Sequence, residues 1–216
     1  MKTSFIFIII FSCFLSVYSQ KTEQKQDFEE YVALFPERAY PFIQTYNFDA
    51  DNSTPFTPPE NIPIKMYIDY ATKQDFLAKK DTICYMGLMA KGRFITNENY
   101  TLLLVAVDLE AGCGEENYLI SYTPDGIIID TLLTFGSGRL SPRNGERVTY
   151  KQDAEIGADS IQLKRREMFG ETIYGQNGEL NKNRIKWYNS VYHISPEGKF
   201  ICTQYAEGKE EYHYWK

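Results

Sequence analysis

Cysteine and histidine are scarce in this chain of 216 residues, which holds four cysteines and two histidines. No two cysteines have the C-x-x-C spacing that zinc ribbons and dithiol oxidoreductases use. The chain has only two histidines, His193 and His213. A structural zinc site and thiol redox catalysis therefore have no ligand set to start from, and we predict neither a metal site nor a cofactor.

Basic residues are also outnumbered: the chain has 23 basic and 29 acidic residues and a formal net charge of −6. The main cluster of basic side chains is Lys164-Arg165-Arg166, which lies in a strand-like stretch and is followed by Glu167. A surface of this sign repels the phosphate backbone of nucleic acids. We predict no nucleic-acid partner and interpret the cluster as an exposed strand face.

Long hydrophobic runs are missing except near the N-terminus, where Lys2 precedes an uncharged run from Phe5 to Leu15. Val17-Tyr18-Ser19 then supplies the ending of a cleavage site before Gln20. The run is shorter than the ~20 apolar residues that a membrane-spanning helix needs. We predict a signal peptide over residues 1–19 and no transmembrane segment after its cleavage. The mature protein, residues 20–216, is then exported to the periplasm, the cell surface or the medium.

Ser12-Cys13 suggests a second interpretation of the leader, as a lipoprotein box with lipid on Cys13. Ile10 and Phe11 stand where such a box favours a branched aliphatic and a small residue. We therefore prefer a cleaved, soluble product.

Three cysteines remain after cleavage, Cys84, Cys113 and Cys202. An oxidising compartment allows one disulfide and leaves one thiol over. Cys84 and Cys113 lie on successive strand-like segments and are the preferred disulfide pair.

The first third of the mature chain predicts two short helices around a loop. Residues 26–35 place apolar side chains at helical spacing before Pro36, which favours a short amphipathic helix covering a sheet. Residues 47–63 hold four prolines and several short polar residues, which favours a long loop. A second short helix is predicted over residues 71–79, where Phe76 and Leu77 lie among good helix formers.

From Thr82 onward the pattern predicts one strand after another. Residues 100–107 are apolar on both faces of the pleat, which indicates a central strand covered on both sides. Thr123-Pro124-Asp125-Gly126 and Ser195-Pro196-Glu197-Gly198 are typical hairpin turns. The sequence predicts a single, mainly β domain of the α+β class. We expect an antiparallel meander of roughly eight strands, with curling into an open barrel as the alternative.

Several phrases of the sequence resemble small exported proteins of Bacteroidetes-type bacteria. The phrases are Asp27-Phe28-Glu29-Glu30-Tyr31, Phe35-Pro36, Tyr40-Pro41-Phe42 and Tyr118-x-Ile120-x-Tyr122-x-x-Asp125-Gly126-x-Ile128-Ile129-Asp130. These are uncharacterised families, so the resemblance implies an exported, helix-capped, β-rich domain and carries over no functional residue.

The resemblance also implies a setting in which O-glycosylation follows a D-[ST]-aliphatic rule. Three segments match that rule: Asp81-Thr82-Ile83, Asp130-Thr131-Leu132 and Asp159-Ser160-Ile161. The alternative interpretation is that each segment marks the start of a strand.

Motifs of known catalytic sites are absent from the sequence. Gly136-Ser137-Gly138 lacks the G-x-S-x-G spacing of a serine nucleophile turn, and no phosphate loop is present. Residues 49–60 imitate the oxygen order of a calcium loop, but Thr54 stands where glycine is needed. Pairs of carboxylates stay open among 29 acidic residues. We predict no specific catalytic residue.

Aromatic residues are abundant, with 17 tyrosines and two tryptophans. Strand alternation over residues 184–194 puts Trp187 and His193 on one face and Tyr188 and Tyr192 on the other. Aromatic rings with polar tips suit glycans, peptides or amphipathic ligands. Tyrosine is also a good strand former, and cross-strand aromatic pairs stabilise a sheet by ~0.2–1 kcal/mol each. The candidate ligand-binding residues are Trp187, Tyr188, Tyr192, His193, Tyr214 and Trp215.

Three hypotheses of function follow. The first is an accessory domain that binds a glycan, peptide or protein through an aromatic-rich sheet face. The second is a hydrolase of envelope or dietary polymers that works through paired carboxylates. The third is a structural or inhibitory protein that binds a partner through a sheet edge or a flat surface.

Overall fold

The computed structural model describes residues 25–45, 54–55, 64–69, 74–78, 87–94, 98–109, 114–143, 146–175 and 178–215. They contain one helix, α1 (residues 25–33), and fourteen strands. The strands are β1 (Glu37–Arg38), β2 (Phe42–Gln44), β3 (Thr54–Pro55), β4 (Ile64–Asp69), β5 (Gln74–Ala78), β6 (Gly87–Phe94), β7 (Thr101–Leu109), β8 (Gly114–Tyr122), β9 (Ile128–Arg143), β10 (Glu146–Ile156), β11 (Ser160–Gly175), β12 (Gly178–Ile194), β13 (Phe200–Glu207) and β14 (Glu211–Trp215). No helix in this described part of the chain is both long and apolar enough to cross a membrane.

Strands β6 to β13 form an antiparallel meander in which each strand pairs with the next one in sequence. β1 adds to β6 in parallel, and β2 and β3 pair antiparallel with β10 and β6. The two end strands of the path, β1 and β13, do not pair with each other in the described chain, so the sheet curls without closing. The predicted mainly β class with an antiparallel meander is confirmed.

The centre of the sheet is covered on both faces, as the apolar run of β7 predicts. Leu103 and Val105 point to the face on which helix α1 packs, with Phe28 and Tyr31 of the helix in the same cluster. Leu102 and Leu104 point to the other face and share a cluster with Ile161, Leu163 and Ile194. The later strands therefore curl back over the earlier ones, and one sheet supplies both walls of its own core.

Each predicted hairpin turn ends in a glycine with a positive φ, +80° at Gly126 and +84° at Gly198. Both turns pack against other parts of the fold. A Cβ atom at Gly126 would lie 3.0 Å from the Phe28 ring of α1, and one at Gly198 would lie 2.9 Å from Tyr100. Glycine is needed at both places because of the left-handed backbone and because of the close neighbour.

The predicted helix over residues 71–79 is wrong, because Gln74–Ala78 forms a strand that pairs with Ile64–Asp69 in a separate two-stranded sheet. Pairing with a partner strand outweighs the local helix propensity of this segment. The signal peptide over residues 1–19 and the disulfide candidates Cys84 and Cys113 lie outside the described residues. Cys202 is exposed and has a free thiol.

Candidate functional site

The inner face of strands β9 to β13 holds a cleft with a volume of about 400 Å³. Because side chains alternate along a strand, every second residue of β11, β12 and β13 points into it, whereas β9 contributes the adjacent pair Leu132 and Leu133. The register aligns Gln152, Arg165, Tyr188 and Glu207 across four strands. The full lining is Leu132, Leu133, Gln152, Leu163, Arg165, Glu167, Tyr188, Ser190, Tyr192, Tyr205 and Glu207.

The floor of the cleft is a buried ion pair between two residues of β11. Arg165 donates from Nε and Nη2 to Oε1 of Glu167, at 3.0 and 2.8 Å. The side chains are 13% and 5% exposed, so both charges are largely removed from water. The Arg165 guanidinium also lies 4.6 Å from the centroid of the Tyr150 ring, a cation–π distance. The guanidinium of Arg165 thus already interacts with Glu167 and Tyr150 of the protein itself.

The buried ring of Tyr150 connects the floor to a second carboxylate. The hydroxyls of Tyr150 and Tyr118 donate to the two carboxylate oxygens of Glu116. This network fixes the ring against which Arg165 packs. It holds the floor in one arrangement, and a floor fixed in advance would lower the entropic cost of binding a ligand.

Gln152 is the amide of the floor, and its orientation is set by the backbone of β9. Its Nε2 donates to the carbonyls of Leu133 and Thr134 at 2.7 and 3.2 Å. Both amide protons are therefore used inside the protein. The group that Gln152 has left for a ligand is the acceptor Oε1.

The wall and rim of the cleft are aromatic. The rings of Tyr188 on β12 and Tyr205 on β13 stack with centroids 6.2 Å apart and an interplanar angle of 28°. Burial, followed by the Glu167 carboxylate, raises the pKa of Tyr188. Burial, followed by the Glu207 carboxylate, raises the pKa of Tyr205. The negative charges of Glu167 and Glu207 therefore both disfavour ionisation of these two phenols.

A β-bulge at Thr203 decides which residues form the rim. Val191 pairs with Gln204 but Tyr192 pairs with Cys202, so Thr203 is an extra residue in β13. Its hydroxyl donates to the carbonyl of Val191 at 3.1 Å. If all the residues of β13 alternated regularly from Cys202, with Thr203 included, Tyr205 would point to the outer face.

The structure divides the six predicted binding residues between two faces. Tyr188 and Tyr192 line the cleft. Trp187 and His193 lie on the outer face, where Trp187 is 37% exposed and has the Arg166 guanidinium 5.7 Å from its ring centroid. Tyr214 and Trp215 belong to β14, which pairs with residues 181–185 of β12, beyond the part of β12 that borders the cleft.

Arg165, Glu167, Gln152 and Tyr205 are cleft residues that the sequence alone did not suggest. The interpretation of residues 164–166 as an exposed face is wrong for Arg165, because alternation turns it inward while Lys164 stays exposed. The pattern Leu163-x-Arg165-x-Glu167 on one strand face was the available signal. Two opposite charges after an apolar residue on the same face suggest a buried pair.

The structure also bears on two of the three D-[ST]-aliphatic segments. Thr131 is 5% exposed, and its hydroxyl is a buried atom, so the folded protein does not present it to a transferase. Ser160 is half-buried at the start of β11. Thr82 lies outside the described residues.

Within the described ranges, no group of three or more histidine, cysteine, aspartate or glutamate side chains is placed to hold a metal ion. Comparison with known proteins gives no match to a family model, a curated protein or a solved structure. The cleft therefore has to be interpreted from its own chemistry.

Proposed function

We propose that this protein is an exported accessory domain that binds a ligand in the cleft of strands β9 to β13. The observation that carries the proposal is the combination of the Tyr188–Tyr205 stack with a buried polar floor in one cleft of about 400 Å³. Ligand sites in proteins are concave, fall between ~300 and ~1,000 Å³ and combine apolar walls with a few fixed polar groups. The cleft has each of these properties.

The size and lining of the cleft favour a compact ligand group. Tyr188 and Tyr192 offer half-buried aromatic surface, Leu132 and Leu163 offer apolar surface, and Ser190 adds a hydroxyl. Such a lining suits one sugar ring, one peptide side chain or a small amphipathic molecule. A longer polymer would be held by one unit in the cleft, with its neighbours over the exposed rim strand β13.

Hydrolysis by paired carboxylates is the second candidate, because Glu167 and Glu207 both line the cleft. Binding is better supported, since Glu167 already accepts two hydrogen bonds from Arg165 and serves the floor. Glu207→Gln separates the two functions. A hydrolase would lose turnover of any bound oligosaccharide while still binding it, whereas a binding protein shows no turnover in either form.

The experiment is a screen of purified residues 20–216 against glycan and peptide libraries, followed by calorimetry on hits. Tyr188→Ala is expected to weaken binding at least tenfold, because it removes one ring of the stack. Trp187→Ala is the matched control, since it removes the neighbouring aromatic side chain on the outer face. If Trp187→Ala abolishes binding and Tyr188→Ala does not, the ligand binds the outer face and the proposal is wrong.

A further inference from the structure

The lining of the cleft favours one sign of charge in the ligand. We propose that it selects a ligand bearing a cationic ammonium group, which lies against the Tyr188–Tyr205 wall beside Glu207. This inference rests on the proposed function, because it names the chemical class of the ligand for the same cleft. The preference for a cation follows from the donors and acceptors that remain after the protein has satisfied its own groups.

The hydrogen-bond donors on the floor are largely consumed. Nε and Nη2 of Arg165 contact Glu167, and the planar face of the guanidinium packs on the ring of Tyr150. Gln152 donates both amide protons to backbone carbonyls. An anionic ligand such as a carboxylate or phosphate would have to compete with Glu167 for Arg165 and would also meet Glu207.

The groups left for a ligand are acceptors and aromatic faces. Glu207 stands on the exposed rim, Gln152 contributes Oε1, and the hydroxyls of Tyr188 and Ser190 can accept as well as donate. The formal charge of the lining is negative, since Arg165 offsets one of the two carboxylates. A cation over a tyrosine ring is attracted by the ring quadrupole, and this attraction grows as the site loses water.

The basic side chains next to the cleft do not reverse this balance. Lys186 precedes Tyr188 on the same strand face, and its Nζ lies 2.7 Å from Oε1 of Glu210. Arg184, two residues further, also pairs with Glu210, at 3.8 Å. Both cations therefore pair with the Glu210 carboxylate, which does not line the cleft.

The test compares pairs of probes that share a shape but differ in charge. The pairs are choline with 3,3-dimethylbutan-1-ol, glucosamine with N-acetylglucosamine, and Nα-acetyl-lysine methylamide with its Nε-acetyl form. Each probe is titrated into the protein while the backbone amide shifts of β12 and β13 are followed by NMR. The charged member of at least one pair is expected to bind about tenfold more tightly, a difference of ~1.4 kcal/mol. The pair with the largest ratio tells whether the ammonium belongs to a choline, an amino sugar or a lysine side chain.

Two variants connect the preference to the cleft. Glu207→Gln is expected to reduce the charged-to-neutral ratio at least threefold, while Glu197→Gln, an equal change of charge in the exposed hairpin turn, leaves it unchanged. Equal binding of both members of every pair at the cleft overturns the inference but leaves the proposed function standing. Failure of all six probes overturns the inference too, and the library screen then decides the proposed function separately.

Discussion

Arg165 and Glu167, two positions apart on β11, form an ion pair with a distance of 2.8 Å at the floor of the cleft. A buried pair of this kind contributes little net stability, but removal of one partner leaves an uncompensated charge in the interior. The pair therefore acts mainly through the arrangement it imposes on the floor.

Arg165→Met is expected to destabilise the protein by about 3 kcal/mol, because it leaves the Glu167 carboxylate buried without its partner. Arg165→Met combined with Glu167→Leu is expected to cost less than Arg165→Met alone, since no buried charge remains. Urea unfolding of the single and double variants measures both values. Additive losses in the double variant would show that the two side chains are not coupled.

Gly198→Ala is expected to destabilise the protein by about 3 kcal/mol through left-handed strain and contact with Tyr100 and Ser121. The hydroxyl of Ser121 is buried, and the structure gives it no hydrogen-bond partner. Ser121→Ala alone is therefore expected to be close to neutral, and it should recover part of the loss in the Gly198→Ala background. Unfolding midpoints of the three variants test this, and full additivity would contradict the proposed contact.

Deletion of Thr203 is expected to leave Tyr205 and Glu207 facing the cleft, because it removes only the extra residue of the bulge and lets Cys202, Gln204 and Tyr205 alternate regularly along β13. NOEs between the rings of Tyr188 and Tyr205 should persist, and binding of the preferred cationic probe should change less than threefold. Thr203→Ala is the control, since it keeps the extra residue and loses one hydrogen bond, worth about 1 kcal/mol. Loss of the ring NOEs in the deletion variant would show that the bulge itself is needed to hold β13 in its register.

Alkaline pH is expected to weaken the fold through its buried tyrosines. Burial, aided by Tyr100 and Asp159, raises the pKa of Tyr40 to about 12, and burial also raises the pKa of Tyr31 and Tyr122. Because these pKa values lie above the unfolded value near ~10, the folded state holds more protons there. Stability is therefore full below pH ~10 and falls as the pH rises toward ~12.

Urea unfolding at a series of pH values from ~9 to ~12 measures this loss. Tyr40→Phe is expected to flatten the decline by less than the ~1.4 kcal/mol per pH unit of a fully shifted group, because the half-buried Tyr40 is screened by solvent. Tyr212→Phe, which alters an exposed ring, is the control. A profile for Tyr40→Phe that parallels the unaltered protein would show that this hydroxyl is not responsible.

Local patterns were sufficient to predict the framework of the fold. The spacing of Phe28, Tyr31 and Phe35 predicted α1, and the two Pro-x-Gly turns predicted hairpins with glycines of positive φ. These signals work because each depends on residues only a few positions apart. The segment 74–78 failed for the opposite reason, since its structure depends on pairing with residues 64–69.

The cleft could be predicted only in part. Alternation correctly separated Tyr188 from Trp187, but it could not choose the face that would become concave. The partner of Tyr188 in the stack is Tyr205, and the register between their strands depends on one bulged residue, Thr203. A one-residue shift that local propensity does not reveal thus decides half of the wall.

The rim strand β13 also sets the order in which the site is completed. Every meander strand before it pairs with a neighbour on each side, but β13 comes late in the chain and pairs with β12 alone in the described sheet. The floor and the β8 and β9 groups that hold it all precede residue 176, so they can assemble before the rim strand is available. During synthesis the scaffold therefore precedes the cleft, and loss of the C-terminal segment is expected to remove the outer wall of the site.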